Sequence, residues 1–239
     1  MIAKRIIWIL LCICGFGVHS LLSQSGFRVG YSMGLGNARE INKLIYTYNT
    51  LNSSLIKEMP LFNAFGGLTI AYINESDGNT GFEMKWQNRH REMSSKWMDT
   101  GVEYQRDIKF RMNQLSFGGY GALNDYLYMG GSIDFGSFKG FTRKGPSESV
   151  SDTTYQQMFV RKDYHSLPFV RMQLSNTIFL GFRYKIFGAR INFQWQYMNM
   201  PLDNMSRALL GVPIDSYREL KGKFTNIGLE LYIKIGGEN

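Results

Sequence analysis

Residues 224–236 read FTNIGLELYIKIG, and a two-residue period runs through them. Thr225, Ile227, Leu229, Leu231, Ile233 and Ile235 share one face. Phe224, Asn226, Gly228, Glu230, Tyr232 and Lys234 share the other. Successive side chains of a strand point to opposite faces, so this stretch is a strand with one apolar side and one small, polar or charged side. In a soluble sandwich the apolar side meets a second sheet. In a membrane barrel it meets lipid, and the mixed side lines the interior.

The same period recurs along the chain. At residues 26–36, Phe27, Val29, Tyr31, Met33 and Leu35 alternate with Arg28, Gly30, Ser32, Gly34 and Gly36. Further strands are predicted at 61–73, 81–91, 102–122, 126–140, 164–174 and 177–197, which with 224–236 makes eight. In 102–122 the outward series Ile108, Phe110, Met112 gives way to Leu115, Phe117, and this parity shift near Asn113 predicts a bulge. A second shift falls at Gly188. Short connections are expected at 74–80, 123–125 and 175–176, and long ones at 37–60, 92–101, 141–163 and 198–223. Short turns at one end and long loops at the other is the arrangement of bacterial transmembrane barrels. A soluble sandwich has no reason to sort its loops so; a secreted sandwich or a soluble lipocalin-like barrel is the alternative.

The chain has 239 residues, 26 of them Gly, with 15 % aromatics and a net charge of +8. Its 44 % apolar content excludes a disordered chain, and two Cys exclude a disulfide scaffold. Lys4 and Arg5 precede the uncharged run Ile6–Val18. That run is short of the roughly 20 residues of a spanning helix and suits an export signal. Residues 1–23 are therefore expected to be removed, after Ser23 or else Ser20, leaving 24–239 as one barrel domain. Cys12 and Cys14 would go with the signal, as would two basic residues, so +8 becomes +6. Neither Cys follows a small residue, which disfavours a lipid anchor.

The last strand resembles the signal by which outer-membrane barrels are recognised for insertion, with Asn226, Gly228, Leu231 and Ile233 at the defining positions. It departs from the common form in running on past Ile235 rather than ending on an aromatic residue. The whole chain from residue 24 resembles the small eight-stranded outer-membrane barrels, the OmpA/OmpX/OmpW-like group, in the style of the outer-membrane barrels of Bacteroidota. The resemblance implies an all-β, eight-stranded antiparallel transmembrane barrel in the outer membrane. It does not imply an activity.

Parity aims Arg28, Glu83, Lys85, Lys109, Arg111, Asp134, Arg171, Arg183, Lys185 and Glu230 inward. An eight-stranded barrel is filled by its own side chains, so these charges are expected to pair, with Glu83 and Glu230 as bridging carboxylates. The sharper alternative is a narrow anion path. Nucleic acid is excluded: the cations are spread over strands and the chain is exported. Outer-membrane lipid is the expected surface partner, since a basic exterior attracts lipid phosphates.

The segment 37–55 breaks the strand pattern. Ile41, Leu44, Ile45, Tyr48 and Leu51 recur at helical spacing behind Asn37 and Glu40, which are placed as a capping box. A helix of about four turns follows, with its apolar stripe either packed on the barrel mouth or offered to the membrane surface or another envelope protein.

Catalytic signals are thin. His165 and Ser166 are adjacent, so they point to opposite faces of a strand and cannot form the His-x-Ser pair of the lipid deacylases. His90 reads as a rim residue. Asp77-Gly78-Asn79 suits a tight turn as well as a cation loop. No cofactor or metal is expected. The favoured expectation is a non-enzymatic barrel with a structural, binding or accessory-subunit role. A narrow channel and a lipid-modifying enzyme are the alternatives.

Overall fold

The computed structural model describes residues 24–76, 79–150, 153, 155–157, 173–211 and 221–236. Eight long strands form a closed antiparallel ring: β1 Gln24–Asn37, β2 Ala64–Ser76, β3 Thr80–Asp99, β4 Val102–Ala122, β5 Leu127–Pro146, β6 Gln173–Tyr184, β7 Phe187–Gln196 and β8 Thr225–Ile235. Each pairs with its neighbour in sequence, and β8 pairs with β1 over Thr225–Ile235, so the ring has no free edge. Two helices, α1 Arg39–Leu51 and α2 Asp203–Leu210, lie in the loops after β1 and β7.

Outward side chains join into continuous apolar rows. One row runs Val29–Ile70–Trp86–Leu115–Phe135–Leu174, and another runs Met129–Leu180–Ile191–Leu229–Met33. On β8 the outward positions Ile227 to Ile235 span about 27 Å of strand, or roughly 20 Å of height after the usual tilt, which suits a bilayer core.

β3, β4 and β5 have 20, 21 and 20 residues. A transmembrane strand needs about 9–11. The surplus projects beyond the apolar belt as an arm, closed by a two-residue turn at Thr100-Gly101, where both φ angles are positive. Residues 92–101, expected as a loop, thus belong mostly to β3.

The projecting arm also explains the apparent parity shift. The registers of β3–β4 and β4–β5 are uninterrupted past Asn113, so there is no bulge there. Ile108, Phe110 and Met112 face inward and are buried. What changes at Asn113 is the environment: above the belt the outside is water and the inside is an apolar core. The second shift, at Gly188, is a change of strand. Lys185-Ile186 is the turn of the β6–β7 hairpin, so 177–197 is two strands and the turn expected at 175–176 lies ten residues later. The strand expected at 164–174 falls mainly outside the described residues, as does the signal segment 1–23.

Candidate functional site

The interior is built in layers along the barrel axis. At the end bearing the short turns, Glu75 accepts hydrogen bonds from Tyr120 Oη (2.7 Å) and Lys234 Nζ (2.7 Å), and pairs with Arg183 at 3.4 Å. Next comes a layer of tyrosines. Tyr120 lies opposite Gly81, Tyr128 opposite Gly181 and Tyr232 opposite Gly188 in the strand registers. Each ring lies across its glycine so closely that a Cβ there would collide with it. The glycines allow the rings to lie flat across the lumen. The Tyr128 and Tyr232 hydroxyls meet at 2.8 Å.

Above them sits a charged layer. Glu83 accepts two bonds from Arg190, at 2.8 and 2.6 Å, and one from Arg28 at 2.8 Å. The Arg28 guanidinium stands 4.9–5.3 Å from the ring centres of Tyr120, Tyr128 and Tyr232. Glu230 pairs with Lys85 at 3.1 Å and accepts from Thr69 Oγ1. Ion pairs this deep offset their desolvation only when the geometry is good and the remaining lone pairs are bonded.

An amide layer follows. Arg89 is buried, donates to Gln114 (3.1 Å), Gln194 (3.0 Å) and Asn226 (3.4 Å), and stacks 4.4 Å from the Phe65 ring centre. Asp134 accepts from Ser132, Thr177 and Gln194 at 2.6–3.1 Å. The gap among Lys85, Gln87, Arg89 and Asn192 holds about 10 Å³, the space of one water.

The far end is apolar. Phe62 packs against Phe65, Phe110, Phe138 and Phe224 with ring centres 4.9–6.1 Å apart. Ile41, Leu44, Ile45 and Tyr48 of α1 and Leu202, Met205 and Leu209 at α2 close over this cluster. Asn42 exchanges two hydrogen bonds with the Phe62 backbone, and Asn49 exchanges two with Met59. These staple the helix to the returning chain. Arg106 donates to the α2 carbonyls of Ala208 and Leu209 and stands over the Tyr48 ring. Burial lowers the affinity of its guanidinium for its proton.

Of the predicted interior charges, Arg28, Glu83, Lys85, Asp134, Arg183 and Glu230 line the lumen, and Arg171 lies outside the described residues. Three are corrected. Lys109 and Arg111 face outward, because β4 keeps one parity throughout, and Lys109 pairs with Glu92 at 3.5 Å. Lys185 sits exposed in the β6–β7 turn with φ 53°. The lumen also holds Glu75, Arg89, Arg190 and, at its rim, Lys234, which are not among the predicted charges. Parity alone aims Arg89 and Arg190 inward, and Glu75 lies two residues past the predicted end of its strand.

In the predicted helix, Leu51 is corrected: it is 68 % exposed at the last position of α1. The capping box is absent as well, because Asn37 still belongs to β1 and Ala38 takes the N-cap without a side-chain bond. Of the last-strand residues, Asn226 and Gly228 face the lumen, while Leu231 and Ile233 face outward. His90 is on the outer wall above the apolar belt, exposed. His165, Ser166, Asp77 and Gly78 lie outside the described residues. Among the described residues no group of three or more His, Cys, Asp or Glu is placed to hold a metal ion.

A closed ring that is apolar outside and polar within defines an eight-stranded transmembrane β-barrel of the small outer-membrane type. No family model and no curated protein matches the chain. Among solved structures, it is similar to the attachment invasion locus protein Ail of Yersinia pestis in complex with the heparin analogue sucrose octasulfate. The TM-score is 0.47 at 13 % identity, over 89 % of this chain and 99 % of that one. It is also similar to OprG from Pseudomonas aeruginosa, with a TM-score of 0.36 at 8 % identity, over 90 % and 95 % of the two chains. At these values the likeness concerns the barrel and goes no further.

Proposed function

We propose that this chain is a non-enzymatic outer-membrane barrel whose outer end is a binding or accessory-subunit surface of the cell envelope. On this reading residues 1–23 are a cleaved export signal, 24–239 form the barrel domain, and Asn226, Gly228, Leu231 and Ile233 serve as the insertion signal. One observation carries it: the lumen is packed with side chains in every layer, while β3–β5 project well past the membrane under a two-helix cover. A barrel closed to passage and built up on one side invests its structure in a surface.

Replacing residues 96–105 by a two-residue Asn-Gly turn, which keeps the Ser95–Arg106 pairing of β3 and β4, tests this. The shortened chain is expected to fold and insert. Cross-linking in intact cells should then lose the adducts that the full chain forms through the arm. A full chain recovered only as a lone monomer after cross-linking overturns the accessory-subunit reading. The alternative, a narrow anion path, draws on Arg89, whose three described hydrogen-bond acceptors are all amides. Stepwise anion currents in planar bilayers, abolished by Arg89→Gln, would favour it over the closed barrel.

A further inference from the structure

Three outward rows mark the upper margin of the lipid-facing belt on β3, β4 and β5. Trp86, Leu115 and Phe135 lie side by side as the last fully apolar row. Two residues higher come Asn88, Asn113 and Ser137, and two higher again His90, Arg111 and Lys139. A step of two residues is about 6.7 Å of strand and roughly 5 Å of height after tilt. The three bases therefore stand about 10 Å above the apolar row, at the depth of lipid headgroups.

Among the described residues, none of these bases has a hydrogen bond or ion pair. The acids of the outer wall nearby are engaged above them. Glu92 takes Lys109 at 3.5 Å, Arg143 at 3.9 Å and Tyr155 Oη at 2.6 Å, while Asp107 takes Arg143 at 2.8 Å. The row beneath offers only amides and a hydroxyl. On the β2 side the partner of His90 is Gly66, covered by the Tyr31 ring, which brings an aromatic hydroxyl to the same margin. Apolar, amide and cation thus succeed one another in the order of acyl chain, linkage and phosphate along a lipid.

We propose that His90, Arg111 and Lys139 form a binding site for the phosphate of a phosphorylated membrane lipid whose acyl chains lie against Trp86, Leu115 and Phe135. Arg111, at the centre, can take two phosphate oxygens at once, and Lys139 and His90 flank it. The site rests on the transmembrane placement of the barrel and is independent of what the arm binds.

The test uses the chain from residue 24, folded in neutral detergent and titrated with short-chain phosphatidic acid, phosphatidylcholine or inorganic phosphate. Bound lipid is counted by native mass spectrometry. Phosphatidic acid is expected to bind in preference to phosphatidylcholine. R111S/K139S should reduce that preference about thirty-fold, or about five-fold for each base. R111K/K139R should keep it, as should K57S, which removes an exposed lysine elsewhere on the outer surface. Unboiled gel mobility verifies that each variant is folded. No preference in the parent chain overturns the site, as does an unchanged preference in R111S/K139S. Displacement of the lipid by millimolar inorganic phosphate overturns the lipid assignment in favour of a free-anion site.

Discussion

Glu83→Ala is expected to lower the unfolding free energy of the barrel by about 3–5 kcal/mol. Its side chain is 4 % exposed and that of Arg190 is 1 %, so solvent does little to screen the pair. Three hydrogen bonds of 2.6–2.8 Å converge on its two oxygens from Arg28 and Arg190. Truncation leaves two guanidinium groups in the lumen with a weaker claim on what remains. Arg28 keeps Glu75 at 3.8 Å, and Arg190 keeps the Tyr128 hydroxyl at 3.4 Å. The cost is that of an uncompensated buried charge, so removing the charge as well should recover about half of it in E83A/R190M. Glu103→Gln serves as the contrast. Its partner Lys96 is on the exposed arm, with both side chains more than a third accessible, and the midpoint should not move. The measurement is urea unfolding of the chain folded in detergent micelles, followed by tryptophan emission and gel mobility. A loss below about 1 kcal/mol for E83A, the range of an exposed pair, would refute the view that this network is a dry, tightly bonded plug.

Three other outcomes are expected. Leu44→Ala should cost about 2–5 kcal/mol of local stability; limited proteolysis should then cut residues 38–63 sooner while the barrel keeps its unboiled gel mobility. Gly188→Val should cost about 1–3 kcal/mol by driving the Tyr232 ring off the backbone, and Tyr232→Ala in the same chain should relieve part of that loss. The Tyr155 hydroxyl, with Lys109 and Arg143 beside it, holds the Glu92 carboxyl below the usual carboxylate range. The resulting stabilisation is full above the unfolded value near pH 4.3 and fades as pH falls through the lowered folded value. Hydrogen exchange near residues 153–157 should therefore rise below about pH 4, and Glu92→Gln should abolish that dependence.

The lipid-facing rows were legible because a period of two is a local property of the chain. The total of eight strands holds although 177–197 is two of them, because only Gln173-Leu174 of the expected 164–174 are described, at the start of β6. β1 and β8 show it over their whole length, and α1 shows its own period just as plainly in Ile41, Leu44, Ile45 and Tyr48. The errors share a cause. At Ile108–Met112 the pattern reads as lipid-facing, because hydrophobicity alone does not distinguish a side that meets lipid from one covered by a core. At Lys185-Ile186 the turn carries neither Gly nor Pro nor Asn, so two strands read as one. Glu92, Ser94 and Lys96 make the outer face polar, and so the segment reads as loop, although it continues β3 to Asp99.

Alternation along the chain is sufficient for a membrane barrel, its belt and its helix, since each depends on neighbours a few residues apart. Which way Ile108, Phe110 and Met112 point depends on α1 and α2 covering the mouth. Which charges meet depends on ring closure, which brings Arg28 and Arg190 to Glu83 across 55 and 107 residues of sequence. No local pattern encodes that distance; the register of eight strands sets it, and with it the closing of the lumen.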